Sequence, residues 1–331
     1  MATPDLDRVL RRLKLRELRL LLAVAEAGSM TKAAERLSIT RPVVTKTISD
    51  LETTVGVRLL DRGRSGIEPT LFGRALLRRS AAAFDELRQG VQELSFLANP
   101  GIGELNIGRS EYMAAGLVPV VIDELSGRYP AMAFRLTLAD ARSLQHRELR
   151  ERRVEFGIAR MLVPEPEPDI DAEALFYEDV FIAAGPGNRW LGRRNVKLAQ
   201  LVDEPWIFAP PEVTEGSPVV EAFHMLGLRV PEPKVVGLSL PLRNGLLATG
   251  RFLTIVPGSV MRFGAERHLL SALPIELPRW RLPVAILTLK GRTLSPLAQL
   301  FLGQIRATAK ALTTARSHEG TRRSRARPRQ T

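Results

Sequence analysis

Apolar residues recur at helical spacing in successive segments near the N-terminus of the chain. In the first segment they follow the spacing i, i+3, i+4 and i+7, which predicts an amphipathic helix from Leu15 to Ala27. Gly28 is a typical C-terminal cap, and Ser29 can cap a short second helix that directs small side chains inward. The apolar positions of these two helices are Leu18, Leu21, Leu22, Ala25, Ala33, Ala34 and Leu37.

A third helix is predicted after the tight turn "SIT", with Thr40 as its cap and Pro42 in its first turn, where no backbone donor is lost. Its buried stripe consists of Val44, Ile48, Leu51 and Val55. The opposite face is polar and cationic, and it carries Arg41, Thr45, Lys46 and Ser49. This order is typical of the helix-turn-helix motif, whose second helix contacts base edges in the major groove. The alternative is an ordinary solvated helix face.

A basic hairpin is predicted directly after the third helix. The segment "VRLLDRGRSGIEPT" reads as strand, polar turn and strand, with Arg62 and Arg64 on either side of Gly63 and with Gly66 closing the turn. Beside a helix-turn-helix such a hairpin is a wing, whose arginines lie against phosphates and position the protein without specifying sequence. The alternative is a basic hairpin without that role.

The polar face of the third helix supplies side chains that suit DNA bases. Arg41 matches both acceptors of a guanine edge, a pairing that contributes about 1–3 kcal/mol of discrimination. Thr45 offers a hydroxyl, its methyl group or that of Val43 suits thymine, and Lys46 reaches a base or a phosphate. We therefore predict double-stranded DNA as a partner, contacted by Ser29, Thr31, Thr40, Arg41, Pro42, Val43, Thr45, Lys46, Arg62 and Arg64.

One long helix follows the hairpin. Thr70 can cap a helix from Leu71 to Ala98, which is about 40 Å long at 1.5 Å per residue. Its apolar residues form a near-heptad seam made of Leu77, Phe84, Leu87, Val91, Leu94 and Ala98. Because a helix this long with one apolar stripe needs a partner, we expect it to pair with a second copy of the chain. The segment "NPGIG" ends it.

Composition indicates a soluble globular protein of two or three domains, since the 331 residues are 45% hydrophobic and 25% charged. No apolar run approaches the ~18 residues that span a bilayer, and the N-terminus does not resemble a signal peptide. We therefore predict a cytoplasmic protein without a membrane partner.

The positive charge of the chain lies at its two ends. Of the net charge of +12, residues 1–98 contribute 17 Lys/Arg against 12 Asp/Glu, and residues 316–331 contribute six Arg against one Glu. This favours a polyanion such as nucleic acid as partner, with solubility as the alternative. The arginine-rich segment 316–331 is predicted to be disordered, and either a solvated tail or a supplementary DNA contact.

The N-terminal residues together resemble those of the LysR-type transcriptional regulators. The resemblance rests on "LRLLLAVAEAGSMTKAAERLSITRPVVTKTISDLETTVGVRLLDR" and "PTLFGRALL", which span about 60 residues. Three positions depart from the family pattern, which usually has Phe at Met30, Gln at Arg41 and Phe at Leu60. The Met30 and Leu60 changes are conservative. Arg41 replaces an amide that suits adenine with a cation that suits guanine, so an operator sequence does not carry over from the family.

The resemblance implies an α/β fold with three parts: a winged helix-turn-helix at 1–70, a linker and dimerisation helix at 71–98, and an effector domain at 99–315. The effector domain is expected to resemble a type 2 periplasmic binding protein, with lobe I at 103–163 and 267–315 and lobe II at 164–266. "DEPWIFAPP" resembles a subgroup linked to sugar uptake and aromatic-acid catabolism. The family further implies a homodimer or homotetramer that bends DNA, and RNA polymerase as a partner.

Candidate effector contacts follow the strands of the α/β region, because ligands bind there at strand ends and between lobes. The strand "ELNIG" ends just before a helix, where a hydroxyl and a cation suit an anion. We predict that an anionic or sugar-like effector contacts Ser110, Arg109, Tyr112, Arg160, Thr214 and Ser217. The alternative is that these residues are helix caps and surface ion pairs, with Glu111 neutralising Arg109.

No motif indicates enzymatic chemistry, a metal or a cofactor. The four histidines (His146, His224, His268 and His318) are scattered, and neither a Gly-rich phosphate loop with Lys-Ser/Thr nor a Gly-x-Ser-x-Gly elbow is present. We therefore predict a sequence-specific, effector-responsive transcription factor. The alternatives are a solute-binding protein without specific DNA function, a small-molecule enzyme and a nonspecific nucleoid protein.

Overall fold

The computed structural model describes residues 6–63, 66–161, 166–237, 239–264, 267–275 and 281–325. The chain divides into two compact units, Met1–Gly90 and Val91–Thr331. None of the described helices is long and apolar enough to cross a membrane.

The first unit contains four short helices, a hairpin and the start of a long helix. Its elements are α1 (Leu6–Arg12), α2 (Leu15–Ala27), α3 (Met30–Arg36), α4 (Arg41–Val55), β1 (Leu60–Gly63), β2 (Gly66–Pro69) and α5 (Leu71–Ala98). The bounds of α2 agree with the prediction, and Gly28 ends it in the left-handed conformation (φ 63°). The predicted strand–turn–strand is also confirmed, because β1 and β2 pair in antiparallel register. The sequence reasoning did not predict α1.

The core of the first unit forms where the apolar stripes of α2, α3 and α4 meet. Val44, Ile48 and Leu51 of α4 are buried, as the periodicity predicted. In α2 the buried face is rotated from the prediction, with Leu20 and Val24 buried and two predicted core residues only half-buried. The reason is that α2 packs against both α3 and α4, so its apolar face is wider than one stripe. The two half-buried residues are Leu22 and Ala25.

Helix α5 has the predicted bounds and the predicted cap. The hydroxyl of Thr70 accepts a hydrogen bond from the Gly73 amide at 3.0 Å, which satisfies one free donor of the first turn. At the N-terminal end of the seam, Leu77 and Phe84 pack on the core of the first unit. Farther along, the side chains are 50–71% exposed, namely Leu87, Val91, Leu94 and Leu97.

The second unit is an α/β structure. Its first half contains β3 (Gly103–Arg109), α6 (Glu111–Ala115), α7 (Leu117–Arg128), β4 (Met132–Leu138), α8 (Ala141–Ser143), β5 (Phe156–Arg160) and β6 (Ile170–Ala184). Its second half contains β7 (Trp206–Phe208), α9 (Pro218–Met225), β8 (Pro233–Val236), α10 (Leu240–Leu247), β9 (Leu253–Pro257), α11 (Gly258–Phe263), β10 (Ser271–Ala272), β11 (Arg281–Leu289) and α12 (Pro296–Arg325). Helical turns of other types occupy Leu144–Glu148, Leu198–Leu201, Pro210–Glu212 and Arg267–Leu269.

The strands of the second unit form one sheet in the order β4-β3-β5-β11-β6-β9-β7-β8, with β10 beside β6. We call β3, β4 and β5, which run parallel, the first lobe, and β7, β8, β9 and β10 the second lobe. The long strands β6 and β11 join the two lobes as an antiparallel pair. The segments after β3 and β7 are joined by a hydrogen bond between Tyr112 and Glu212, so they lie close together.

The lobe boundaries differ from the prediction. The first part of β6, from Ile170, pairs with the segment of β11 that also pairs with β5, so it belongs beside the first lobe rather than to lobe II. At the other end, β10 pairs with the end of β6, and Leu273 and Leu282 pack in the core of the second lobe. The chain therefore returns to the first lobe at β11, later than the predicted residue 267. Strand pairing decides this boundary, and pairing is a long-range property that composition does not report.

The predicted disorder from residue 316 also differs from the structure. The backbone of α12 is helical as far as Arg325, and residues 326–331 lie outside the described residues. A helix already formed extends at one hydrogen bond per ordered residue, so it can continue into a polar segment that would not nucleate one.

Candidate DNA interface and inter-lobe cleft

The N-terminal half of α4 presents its polar residues to solvent. Arg41, Pro42, Val43, Lys46 and Ser49 are exposed. Thr45 is half-buried, while the opposite stripe of the same helix is fully buried in the core. The helix thus anchors through its aliphatic side and leaves a cationic surface that is free to meet a polyanion.

The two predicted N-cap residues lie at the expected positions, but their side chains do not make the expected capping hydrogen bonds. Ser29 and Thr40 occupy the positions before α3 and α4 with extended backbones, and neither side chain bonds to its own helix. Thr31 and Thr40 are exposed and Ser29 is half-buried. Because the hydroxyls do not cap, the first backbone N–H groups of both helices remain available, and such groups favour phosphate.

The turn between α3 and α4 sets the angle at which the polar face is presented. Ser38 takes the left-handed conformation (φ 53°), which is uncommon for a residue with a side chain. The amide of Ile39 donates to the carbonyl of Ala34 at 3.0 Å, which closes the turn. The predicted tight turn at "SIT" is confirmed.

The hairpin is held to the helices by backbone and carboxylate bonds. The amide of Ile67 donates to the carbonyl of Gly28 at 3.0 Å. Oε1 of Glu52 accepts from the amides of Leu59 and Leu60 at 2.7 and 3.2 Å. Glu52 at the end of α4 therefore fixes where the hairpin starts. Of the two predicted wing arginines, Arg62 lies on β1, although its side chain is not described, and Arg64 lies outside the described residues.

Arg109, predicted to contact the effector at the end of β3, forms a partly buried ion pair. Nη1 of Arg109 lies 3.2 Å from Oε2 of Glu111. This is the ion pair expected under the alternative interpretation, in which Glu111 neutralises Arg109. Ser110 occupies the position before α6 without a side-chain cap bond. Its Oγ and Nε of Arg109 are buried and have no hydrogen-bond partner among the described residues.

Tyr112 lies at the centre of a buried polar cluster that spans both lobes. Its hydroxyl donates to Oε1 of Glu212 at 2.9 Å and accepts from Nη1 of Arg243 at 2.9 Å. Nη2 of Arg160 lies 3.6 Å from the same Oε1 of Glu212. The guanidinium carbons of Arg160 and Arg243 lie 4.1 and 5.0 Å from the centre of the Tyr112 ring, so both cations interact with the aromatic face.

These four residues come from four separate elements. Tyr112 follows β3 and Arg160 ends β5 in the first lobe, whereas Glu212 follows β7 and Arg243 lies on α10 in the second lobe. Sequence reasoning found Tyr112 and Arg160 but missed Glu212 and Arg243. Glu212 had no motif in its favour, and Arg243 is one of many arginines, so no local signal distinguished either residue.

Burial raises the pKa of Tyr112 to about 12, and the negative charge of Glu212 adds to the increase. The phenol is therefore neutral over the physiological range and serves as both donor and acceptor. The hydroxyl, from the first lobe, bridges the carboxylate of Glu212 and the guanidinium of Arg243, both from the second lobe.

The remaining predicted effector residues bond within their own loop. Ser217 is buried, accepts from the Val220 amide at 3.2 Å and donates to the carbonyl of Glu212 at 2.8 Å, so it caps α9. Thr214 is exposed, and its hydroxyl donates to the carbonyl of Pro210 at 3.2 Å. Both residues help to hold the turn that carries Glu212.

A groove of about 510 Å³ lies on the first lobe, and none of the four residues of this cluster lines it. Two of its basic residues lie beside carboxylates, since His146 lies 3.3 Å from Glu167 and Arg147 lies near Glu148 and Glu151. Its lining consists of Leu138, Ala139, Arg142, Ser143, His146, Arg147 and Glu148. Among the described residues no group of three or more carboxylates and histidines is arranged to hold a metal ion.

Two family models match this chain and together cover most of it. Residues 15–74 match the bacterial regulatory helix-turn-helix protein of the lysR family, and residues 98–310 match the LysR substrate binding domain. The chain belongs to the LysR family. It is a DNA-binding transcriptional regulator with an effector-binding domain, and the family is one of regulators rather than enzymes.

Relatives of this LysR-type regulator align along nearly the whole chain. The SDS degradation transcriptional activation protein of Pseudomonas sp. (strain ATCC 19151) is 30% identical over 298 residues, which cover 88% of this chain and 95% of that protein. This agreement, which includes the helix-turn-helix, disfavours a solute-binding protein without DNA function.

Solved structures of full-length regulators share the fold. ArgP from Mycobacterium tuberculosis superposes with a TM-score of 0.65 at 20% identity and covers 90% of this chain and 97% of its own. Full-length CbnR complexed with its target DNA gives a TM-score of 0.61 at 24% identity and covers 89% and 99%. At these identities the likeness establishes the architecture and not the ligand.

Proposed function

We propose that this LysR-type regulator recognises a specific duplex sequence through α4 and responds to a small anionic effector held between the lobes of its second unit. The observation that carries the DNA part is the exposure of Arg41, Val43 and Lys46 above a buried aliphatic stripe. Those side chains suit base edges, whereas Ser29, Thr31 and Thr40 suit the phosphates beside them.

The wing completes the proposed interface. Arg62 and Arg64 lie at the tip of the hairpin in sequence, and they would contact phosphates on the flank of the site. Such contacts add affinity for every sequence, while Arg41 and Thr45 select among sequences.

The oligomer is proposed from α5. Four large side chains on α5, from Leu87 to Leu97, are at least half exposed, which is costly in water unless another surface covers them. A second copy of α5 is the partner that fits, because heptad-like seams pair with themselves. Two chains then place two α4 helices in major grooves about one turn apart. We propose a homodimer or homotetramer that bends DNA, acts on RNA polymerase and resides in the cytoplasm.

The effector is proposed to act at the cluster around Tyr112. Arg160, beside Glu212, and Arg109, beside Glu111, are its positively charged groups, and the buried Oγ of Ser110 has no hydrogen-bond partner among the described residues. Thr214 and Ser217 shape the opposing loop. An effector changes the DNA complex only if it binds one arrangement of the lobes more tightly than the other.

The test is a footprint of the purified full-length protein on the DNA upstream of its own gene and of the divergently transcribed neighbour, with and without candidate carboxylates and sugars. We expect protected half-sites about one helical turn apart, and a pattern that changes with one of the small molecules. Protection that random competitor DNA removes as readily as specific DNA would indicate a nonspecific binder instead.

A further inference from the structure

The cluster around Tyr112 closes the space between the lobes. Tyr112, Arg160, Glu212 and Arg243 are only 6%, 7%, 2% and 5% exposed. A small molecule therefore cannot reach the guanidinium groups unless the hydrogen bonds from Tyr112 to Glu212 and from Arg243 to Tyr112 break. Two of these residues belong to each lobe, so breaking those bonds removes buried contacts between the lobes.

The cluster contains more positive than negative groups. Arg160 lies 3.6 Å from the carboxylate of Glu212, whereas Arg243 donates to the hydroxyl of Tyr112 and the carbonyl of Ile255. Nε and Nη2 of Arg243 have no hydrogen-bond partner among the described residues. Buried charge without a partner is costly, since each unsatisfied charged donor loses its hydration without compensation. A further anion beside Arg243 would remove that cost.

The carboxylate of Glu212 is bound through both of its oxygens, as the carboxylate of a separate ligand would be. One carboxylate oxygen accepts from the amide of Ala209 at 2.8 Å, and the other accepts from Tyr112 and lies near Arg160. Its position on the short turn Pro210–Glu212 lets it move with that turn rather than with a strand of the sheet.

We propose that Glu212 is an internal substitute for the effector, which binds to Arg160 and Arg243 through a carboxylate and displaces the carboxylate of Glu212. The proposal rests on the effector cleft proposed above. Before and after the exchange a carboxylate lies beside Arg160, so neither end state leaves both guanidiniums without an anion. The displaced turn then frees the second lobe to move, which couples binding to the arrangement of the lobes.

This arrangement also predicts selectivity. A carboxylate satisfies the planar donors of a guanidinium in a bidentate pair, whereas a neutral amide of the same shape leaves the positive charge uncompensated. The site therefore selects small organic carboxylates over their amides and over sugars without an acidic group.

The experiment is chemical rescue of Glu212→Ala by acetate, which has the chemistry of the missing side chain. The thermal unfolding midpoint of the full chain is measured without DNA in sodium acetate, acetamide and sodium chloride, at constant ionic strength. We expect acetate alone to raise the midpoint of Glu212→Ala, in proportion to the logarithm of its concentration once the site begins to fill. Wild type should show a smaller acetate-specific increase than Glu212→Ala, because the tethered carboxylate of Glu212 competes with acetate. Glu212→Ala/Arg243→Gln should also show a smaller increase, because one of the two arginines is missing.

A matched control is Glu173→Ala, which removes a carboxylate from an exposed pair with Arg306 and should not respond to acetate. If acetate fails to stabilise Glu212→Ala, or raises the midpoint of every variant equally, the proposal is overturned. Should Glu212→Ala not fold, Glu212→Gln keeps the side-chain volume and must show a smaller rise specific to acetate; its absence also overturns the proposal. Because DNA is omitted, a negative result leaves the proposed DNA-binding function standing.

Discussion

The hydroxyl of Tyr112 donates a hydrogen bond to Oε1 of Glu212 at 2.9 Å, although 100 positions separate the two residues in the chain. The hydroxyl oxygen of Tyr112 also accepts a hydrogen bond from Nη1 of Arg243, so both hydrogen-bonding roles of the phenol are used. One buried side chain thus ties a loop of the first lobe to two elements of the second.

Tyr112→Phe should lower the free energy of unfolding by about 1–3 kcal/mol, because Glu212 and Arg243 each lose a buried partner while the ring stays in place. Urea unfolding of the full chain measures the change. Tyr177→Phe, at an exposed tyrosine, is the control for removing a phenol.

The same substitution should change the dependence of stability on alkaline pH. The pKa of Tyr112 is raised from its ordinary value of 10.0 to about 12, chiefly by burial. A raised pKa contributes stability that is complete below pH 10.0 and is lost as the pH rises through about 12. Wild type should therefore lose more unfolding free energy than Tyr112→Phe over that interval. Parallel curves for the two proteins would mean that the phenol does not titrate as described.

Arg41→Ala should weaken binding to the preferred DNA sequence and relax discrimination at one base pair. The expected loss is about 1–3 kcal/mol if the guanidinium pairs with a guanine edge. Fluorescence anisotropy with operator variants at each position measures both effects. Arg64→Ala is the comparison, because a phosphate contact should weaken all sequences alike and reduce the salt dependence. Unchanged operator affinity of Arg41→Ala would remove this face from the interface.

Glu52→Ala should destabilise the first unit, since the amides of Leu59 and Leu60 lose their acceptor. We expect about 1–3 kcal/mol for the pair of unsatisfied donors. Glu52→Gln keeps an acceptor without the charge and should fall between wild type and Glu52→Ala. Urea unfolding followed by circular dichroism measures the order, and Glu35→Ala, at an exposed position of α3, should change little.

Two alanine substitutions in α5 should have opposite effects. A Cβ at Gly73 would lie 1.9 Å from the carbonyl oxygen of Leu59, so Gly73→Ala must displace the backbone and should cost about 1–3 kcal/mol or more. A Cβ at Gly90 meets no atom within 4 Å, so Gly90→Ala should stabilise the helix by about 0.5–1 kcal/mol. Thermal unfolding of both variants provides the comparison. Equal effects would show that helix propensity, and not the contact with Leu59, decides the outcome.

The local parts of the fold could be predicted from the sequence because their signals lie within a few turns of chain. The spacing of Val44, Ile48 and Leu51 predicted the buried side of α4, and Gly28 predicted the end of α2. The caps were predicted less well. Thr70 bonds to the first turn of its helix, whereas Thr40 does not, because the orientation of a hydroxyl depends on the surrounding chain.

By itself the sequence determined the helix-turn-helix, the linker helix and the exposed cationic face, since each follows from periodicity and short-range capping. Only the tertiary structure decided that β10 stays with the second lobe and that Tyr112 and Arg160 meet Glu212 and Arg243. The physical reason is that strand pairing and buried charge pairs join residues more than 50 positions apart, and no local pattern encodes which distant partners meet.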